Sequence, residues 1–188
     1  MSSPAREVPF NTTGWQTAGP NRWRKGQGGE LALTSATAME LRNESRFRDV
    51  VRQEVLRRGG GLVSADLVLS GGSRVGRVIA KFPQQPTGMT YEGWLLYERA
   101  GATHRVTVRV PEVGITGVRD ALIFGSWSKD RPDDDLMEGW MLDPHDTSRR
   151  DPLMKNVADD RQYDVKFPEH PLSVVRVELA AIESSLRL

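Results

Sequence analysis

Three histidines are the side chains best suited to act as general bases or metal ligands near neutral pH. His104 begins a strand-like run, His145 lies within Asp143-Pro-His-Asp146, and His170 precedes the proline of a predicted helix. None of them forms a His-Glu-x-x-His motif or a comparable ligand spacing. We therefore predict no metal site and no cofactor.

Two further motifs resemble ion or phosphate sites without meeting their requirements. The carboxylates of Asp130-Arg-Pro-Asp-Asp-Asp135 suit a hard cation, but the run lacks the central glycine and closing glutamate of a calcium loop. A solvated loop is the favoured interpretation. Gly71-Gly-Ser-Arg-Val-Gly76 is followed by Arg77 and Val78, where a phosphate-binding loop needs Lys and then Ser or Thr. We interpret that segment as a hairpin turn.

Nucleophilic chemistry also lacks a recognisable centre. The chain has no cysteine, which excludes disulfides, thiolate zinc sites and a cysteine nucleophile. It has no Gly-x-Ser-x-Gly motif, in which the serine would be the nucleophile of a hydrolase. We predict no catalytic residues, and the sequence favours a protein that is not an enzyme.

Aromatic side chains near charged residues are better candidates for a binding surface. Trp127 and Trp140 lie at the two ends of an acidic stretch, with Tyr163 and Phe167 beyond it. Two interpretations are open: these rings anchor a protein partner, or they fix a long loop onto the sheet. The first interpretation makes Trp127 and Trp140 candidate binding residues.

A second candidate set is formed by residues that are distant from one another in sequence. Arg119, Tyr91 and Tyr97 are candidate binding residues, and His104 could join them. A site assembled in this way leaves no local motif. The alternative function is therefore a small-ligand-binding protein or an enzyme of that kind.

Charge and hydropathy limit the partners and the location. The net charge is +1, so no long-range field favours nucleic acid. Residues 1–58 carry ten Lys or Arg against six Asp or Glu, and residues 130–170 carry six against twelve. The two interpretations are solvated faces and a polarised surface that orients a partner. Without an N-terminal apolar run or any stretch of about 18 apolar residues, we expect a cytoplasmic protein that binds no membrane.

Two amphipathic helices are predicted to cover the sheet. In residues 43–58, Phe47, Val50, Val51 and Val55 follow helical spacing, with Asn43 as N-cap and Gly59 as the residue that ends the helix. In residues 171–186 the apolar positions again recur every three or four residues, after Pro171 at the favoured first position. The apolar residues of this second helix are Leu172, Val175, Leu179, Ile182 and Leu186.

Four strand-like runs lie between the helices, at residues 62–69, 75–82, 89–97 and 104–110. Their short connectors predict an antiparallel meander. The third run has apolar residues on both sides, which predicts a central strand. Residues 31–35 alternate enough for a first short strand. Residues 111–127 suit either a helix or a strand, and residues 128–160 form a long polar connection.

Residues 1–30 contain prolines and glycines but little periodicity. We predict an irregular N-terminal arm over residues 1–30, followed by a single α+β domain over residues 31–188. Trp15 and Trp23 are the exceptions in this arm, since large aromatic side chains usually dock on the body of a protein.

The segment Pro111-Glu-Val-Gly-Ile-Thr-Gly-Val-Arg-Asp-Ala121 and the order of the elements around it resemble the PsbP-like group. That group includes the photosystem extrinsic protein, the Ran-binding Mog proteins, and bacterial lipoproteins and effector chaperones. The resemblance covers about residues 30–186 and carries over no functional residue. It implies an antiparallel sheet between helices and a role in binding proteins. Within the segment, we expect a tight turn at Gly114 and Gly117 and a local ion pair between Arg119 and Asp120.

The sequence thus predicts an α+β fold of PsbP-like α/β/α type, with an antiparallel meander between helices. The function it favours is a non-enzymatic protein-binding or accessory module of a bacterial cytoplasm. A protein is the expected partner, and nucleic acid and membranes are not.

Overall fold

The computed structural model describes residues 8–26, 28–129, 131 and 137–188. Its strands are β1 (Gln16–Gly19), β2 (Arg22–Lys25), β3 (Gly29–Ser35), β4 (Gly61–Ser70), β5 (Ser73–Pro83), β6 (Met89–Arg99) and β7 (Ala102–Pro111). Its α-helices are α1 (Glu44–Arg57), α2 (Val118–Ser128) and α3 (Pro171–Ser184). The strands form one antiparallel sheet in the order β1-β2-β3-β7-β6-β5-β4. The predicted α+β fold with an antiparallel sheet is confirmed.

Strands β4 to β7 are consecutive neighbours, so the predicted meander is also confirmed. Gly71 and Gly72 connect β4 to β5, and both have positive φ angles, of 58° and 81°. Glycine adopts this conformation at little steric cost, and the resulting two-residue turn matches the twist of the strands. The glycine-rich segment is the predicted hairpin turn.

The side chains of β6 alternate between two separate hydrophobic clusters. Tyr91, Leu95 and Tyr97 join the cluster that contains the apolar side of α3. Trp94 and Leu96 join the cluster that contains the apolar side of α1. A strand directs successive side chains to opposite sides of the sheet. Strand β6 is therefore central and covered on both sides, as predicted.

Both amphipathic helices begin as their sequences predict. The Asn43 side chain accepts a hydrogen bond from the backbone N–H of Arg46 at 3.1 Å, which caps α1. Gly59 follows α1 with a φ of 73°, in the left-handed conformation that ends many helices. Pro171 opens α3. The buried apolar residues are Phe47, Val51 and Val55 in α1, and Leu172, Val175, Leu179 and Ile182 in α3. Val50, at the margin of the α1 pattern, is instead 40% exposed.

Replacing Asn43 by alanine is expected to lower the free energy of unfolding by about 1 kcal/mol, because the N–H of Arg46 loses its acceptor. Urea denaturation followed by circular dichroism measures the difference. The matched control is Gln53→Ala, an exposed position inside the same helix, which should change stability by less than about 0.5 kcal/mol. Equal losses in the two variants would contradict the capping role.

The prediction of an irregular arm over residues 1–30 is wrong for the segment that forms β1 and β2. These strands pair with each other, and β2 pairs with β3 across the boundary predicted at residue 31. Trp23 in β2 is 8% exposed and lies in the same cluster as α3. Each strand has only four residues, and β1 buries none of them fully, so no alternation marks them in the sequence. Residues 1–7 and 27 lie outside the described residues.

Strand β4 lies at one edge of the sheet. The backbone N–H of Ala65, near its middle, donates to Nε2 of His145 at 3.1 Å. The carbonyl of Ala65 accepts a hydrogen bond from Nε of Arg48 at 3.1 Å. Burial and the charge of Arg48 lower the pKa of His145, which favours the neutral imidazole that can accept at Nε2. Side chains thus occupy backbone groups that an edge strand usually leaves open.

The ambiguous segment 111–127 contains helix α2, and the connection after it is long, as predicted. In its described part, residues 129, 131 and 137–160, the regular features are an isolated β-bridge between Met141 and Asn156 and the 3₁₀ turn Val157–Asp159. A second 3₁₀ turn, Arg161–Tyr163, follows before α3. Apart from Arg131, the acidic run at residues 130–135 lies outside the described residues.

Candidate functional site

Arg119 is completely buried at the start of α2. Its Nε donates to the carbonyl of Ala158 at 2.7 Å, and its Nη1 donates to Oγ of Ser173 at 2.9 Å. Its Nη2 donates to the carbonyl of Asp160 and to Oδ1 of Asp164, both at 3.0 Å. One guanidinium therefore joins α2, the segment between α2 and α3, and α3 itself.

The expected ion pair between Arg119 and Asp120 is not formed, and that prediction is wrong. Adjacent residues of a helix point in different directions, so their side chains do not face each other. The carboxylate that pairs with Arg119 belongs to Asp164, whereas Asp120 accepts a hydrogen bond from the side chain of Asn156. Proximity in the sequence therefore did not predict the partner of Arg119.

A buried ion pair lies beside Arg119. Nζ of Lys81 in β5 is 2.6 Å from Oδ2 of Asp159, and both side chains are at most 4% exposed. Tyr91 in β6 is opposite Lys81 in the strand register. Burial and the neighbouring carboxylates raise the pKa of Tyr91, so its hydroxyl stays protonated near neutral pH. Arg176 of α3 also contacts Asp164 and the carbonyl of Asp159.

We refer to these residues as the buried polar cluster: Lys81, Tyr91, Arg119, Asp120, Asn156, Asp159, Asp164, Ser173 and Arg176. The charged groups in it are matched by partners within the protein. A reactive group needs access to substrate and a pKa suited to proton transfer. The cluster holds residues 157–164 between α2 and α3, and its contacts are those of a structural network.

Asp120 is the member of the cluster whose charge is least favourable. Burial and the charge of Asp159 raise the pKa of Asp120 above 3.8, its ordinary value. A carboxyl group whose pKa is raised in the folded state stabilises the fold while it is protonated, and that contribution is lost as the pH rises through the folded-state pKa. The ionised form therefore lowers stability at pH 7.

The variant Asp120→Asn is accordingly expected to be more stable than the native chain at pH 7, because the amide keeps an acceptor for Asn156 without the charge. The difference should shrink as the pH falls toward 3.8, where native Asp120 becomes protonated. Thermal unfolding at several pH values measures it. The control is Asp146→Asn: hydrogen bonds from Ser148 lower the pKa of Asp146, so that variant should gain nothing at pH 7. A destabilised Asp120→Asn variant at pH 7 would contradict this interpretation.

The structure brings together only part of the predicted set of distant residues. Arg119 and Tyr91 lie at the same end of the sheet, in the buried polar cluster. Tyr97 lies six residues further along β6, about 20 Å away at the usual rise of a strand. There it pairs with His104 in register, and the two rings stack with centroids 5.5 Å apart. These residues therefore do not form one site.

Trp127 and Trp140 lie together in a third, smaller hydrophobic cluster. Their ring centroids are 5.2 Å apart, and Phe124 contacts both. Trp140 is 7% exposed, and the guanidinium carbon of Arg131 lies 3.7 Å from the Trp127 ring centroid. The rings connect α2 to the segment after residue 137. Their predicted role in partner binding remains a prediction.

Two adjoining cavities open at the end of the sheet where β7 ends and α2 and α3 begin. Their volumes are about 530 and 490 Å³, and they share Val113, Glu169 and Pro171. The first extends toward Trp15 and Val110, and its other lining residues include Lys25 and Glu178. The second extends toward α2, along Ile115, Val118 and Phe167. We refer to both together as the end groove.

Glu112 and His170 form the inner wall of the α2 side of the end groove. The Glu112 carboxylate accepts hydrogen bonds from the backbone N–H groups of Met89 at 2.8 Å and Gly117 at 3.0 Å. Burial alone would raise the pKa of Glu112, but His170 and these N–H groups lower it overall. Nε2 of His170 is 3.5 Å from Oε1 of Glu112 and is buried without a hydrogen bond among the described residues. Glu112 thus fixes the turn before α2.

The rim of the end groove is unusually apolar for an exposed surface. The lining residues Val113, Ile115 and Val118 are 60%, 88% and 41% exposed, and Leu122, one helical turn beyond Val118, is 60% exposed. Helix α2 fully buries only Arg119 and Ile123, and Val118 and Leu122 lie on its solvent-exposed side. The helical spacing of Ile115, Val118 and Leu122 is visible in the sequence. That spacing could not show which side of the helix faces solvent.

Among the described residues, no group of three or more His, Asp or Glu side chains could hold a metal ion. In the same part of the chain, each helix is too short or too polar to cross a bilayer. Neither finding assigns a function to the end groove.

Comparisons with known proteins do not identify a family. No family model matches the chain, and no curated protein matches it. Among solved structures, a Pseudomonas aeruginosa protein of unknown function, PA94, has a TM-score of 0.35 and 11% sequence identity. The alignment covers 69% of this chain and 83% of that protein. A likeness of this size carries no inference about function.

Proposed function

We propose that the protein is a non-enzymatic accessory module that binds an apolar segment of a protein partner in the end groove. The observation that carries the proposal is the group of exposed apolar side chains on the α2 side of the groove: Val113, Ile115 and Val118 line it, and Leu122 lies one helical turn beyond Val118. Single exposed apolar residues are ordinary, whereas a contiguous apolar surface beside a concave site is typical of interaction sites.

Where the two cavities meet, Glu169 favours a basic residue on the partner segment, whereas the cation Lys166 lines only the α2 side of the groove. Glu169 lies on the wall shared by the two cavities and has no ion-pair partner among the described residues. Glu178 is already used, since it accepts hydrogen bonds from Lys25 and from the Trp15 ring. A Lys or Arg beside apolar side chains would meet Glu169 at the centre of the groove, and complementary charge of this kind fixes register.

The resemblance to the PsbP-like group is part of the same proposal. It is supported by the segment from residue 111 to residue 121 and by the placement of α1 and α3 in separate clusters against the sheet. A role in the bacterial cytoplasm is proposed with it, and the lack of cysteine is compatible with a reducing compartment.

Selection of random twelve-residue peptides displayed on phage, with the full chain as bait, tests the proposed function. We expect enriched peptides that combine apolar residues with a Lys or Arg, and we expect Ile115→Glu together with Leu122→Glu to abolish their binding in biolayer interferometry. Both positions are exposed, so the variant should fold normally.

The matched control is Leu69→Glu, which changes an equally exposed apolar residue at the far end of β4 and should leave peptide binding unchanged. Failure to enrich any peptide would overturn the proposal, as would peptides that bind the Ile115→Glu, Leu122→Glu variant as tightly as the native chain. Self-association that depends on these two residues, seen by sedimentation velocity, would instead assign the surface to a second copy of the chain.

A further inference from the structure

A separate groove lies on the side of the sheet that carries α3. Helix α3 packs mainly on β6 and β7, and Glu183 near its end contacts Ser70 of β4 and Arg77 of β5, so the other end of these two strands lies beside the helix. The segment around residues 144–161 covers this part of the sheet incompletely and leaves a cavity of about 350 Å³. A cavity of that size is at the lower end of the range for small-molecule sites. We refer to it as the side groove.

The floor of the side groove is apolar. It is formed by Val63, Ile79 and Leu179, with Ala180 at its margin. An irregularity in the pairing of β4 and β5, between Leu62 and Ser64, places Val63 on this side of the sheet. A β-bulge redirects side chains in this way. The groove therefore offers a ligand a surface for an apolar body.

The walls of the side groove are charged, and one cation is left without a partner. Arg77, Lys155 and Arg176 lie 3.3, 2.5 and 2.7 Å from carboxylate oxygens. Arg161, at the start of the second 3₁₀ turn, has no carboxylate partner among the described residues. Arg77 is partly available as well, since its side chain is 36% exposed and its pairing distance is long.

We propose that the side groove binds a small organic anion with an apolar body, such as an aromatic carboxylate. The apolar part lies against Val63, Ile79 and Leu179, and the carboxylate pairs with Arg161, with Arg77 as the second cation. Guanidinium groups suit this task because their N–H donors match both oxygens of a carboxylate. Of the three acids on the wall, Asp159 is bound by Lys81, Asp160 by Lys155, and Asp66 lies 3.9 Å from Arg48, so none of them is paired with Arg161.

The size of the groove separates this ligand from the partner of the end groove. About 350 Å³ holds a small molecule but not a peptide segment several residues long. The two sites share no lining residue. The proposal is therefore independent of the proposed protein binding, and each can fail without the other.

Titration of the full-length, ¹⁵N-labelled chain with benzoate tests the proposal, followed by backbone amide resonances. We expect saturable shifts at Val63, Ser64, Ile79 and Leu179. Arg161→Gln should weaken benzoate binding at least tenfold, and Ala180→Phe, an exposed substitution at the groove margin, should abolish it by filling the space. The matched control is Arg57→Gln, an exposed arginine on α1, which should leave the affinity unchanged.

Benzylamine and inorganic phosphate test separately the charge and the apolar body of the ligand. Benzylamine has the same ring with the opposite charge, so equal binding would overturn the role of Arg161. Phosphate should bind more weakly than benzoate, because it has no apolar body, and tighter phosphate binding would overturn the role of the floor. Linear, non-saturating shifts with benzoate would overturn the site itself.

Discussion

Replacing Arg119 by methionine is expected to lower the free energy of unfolding by about 3–5 kcal/mol. The side chain is fully buried, and it makes four hydrogen bonds, three to the segment between α2 and α3 and one to α3. Methionine fills similar space but leaves buried acceptors without donors. The loss of folding free energy from a buried unsatisfied acceptor exceeds the net contribution of one hydrogen bond. Urea denaturation of native and variant chains measures the difference.

Two further variants test whether the loss of stability in Arg119→Met comes from its hydrogen bonds. Arg119→Lys keeps the charge but cannot make four hydrogen bonds from one planar group, so it should recover only part of the stability. Arg57→Met removes an exposed arginine of α1 and should change the unfolding free energy by less than about 0.5 kcal/mol. If Arg119→Met unfolded like the native chain, Arg119 would not be the residue that joins α2 to α3.

Gly93→Val is expected to destabilise the fold by about 1–3 kcal/mol. Gly93 lies in β6 directly under α3, and a Cβ atom there would stand 2.7 Å from Cγ1 of Val175 and 3.1 Å from a methyl of Leu179. The side chain of Val175 is β-branched and has little freedom to turn away. The helix would have to rise from the sheet, and the change can be followed by thermal unfolding.

A double variant tests the steric origin of this loss. Val175→Ala removes the nearest of the atoms that the new side chain would meet, so Gly93→Val together with Val175→Ala should cost at least about 1 kcal/mol less than the sum of the single changes. The control pair joins Gly93→Val with Val51→Ala, on α1 across the sheet, where the costs should simply add. Additive costs in both pairs would mean that Gly93 matters for another reason.

The strands and helices that the sequence predicted well are those whose periodicity reflects burial. Strand β6 is buried on both sides, and α1 is buried along one face, so their apolar spacing appears directly in the sequence. Strands β1 and β2 were missed because four residues are too few to show alternation. Trp23 was the clue there, since its ring lies in the core.

The candidate sites were less predictable because they depend on contacts between distant residues. Arg119 was correctly singled out, but its partners Ala158, Asp164 and Ser173 lie 39 to 54 positions away. The exposed side of α2 could not be inferred either, because a helical apolar pattern is the same whether it faces a core or a groove. The side groove requires the position of α3 relative to β5, which no local motif records.

The side-chain hydrogen bonds to the backbone of Ala65 in β4 also affect whether the protein can aggregate at high concentration. Because His145 and Arg48 already occupy its outward N–H and carbonyl, another chain that approached this edge would find the ladder interrupted at its centre. At the opposite edge, β1 offers only four residues with irregular pairing. Sheet-to-sheet growth, the first step toward fibrils, therefore lacks a long template at either side.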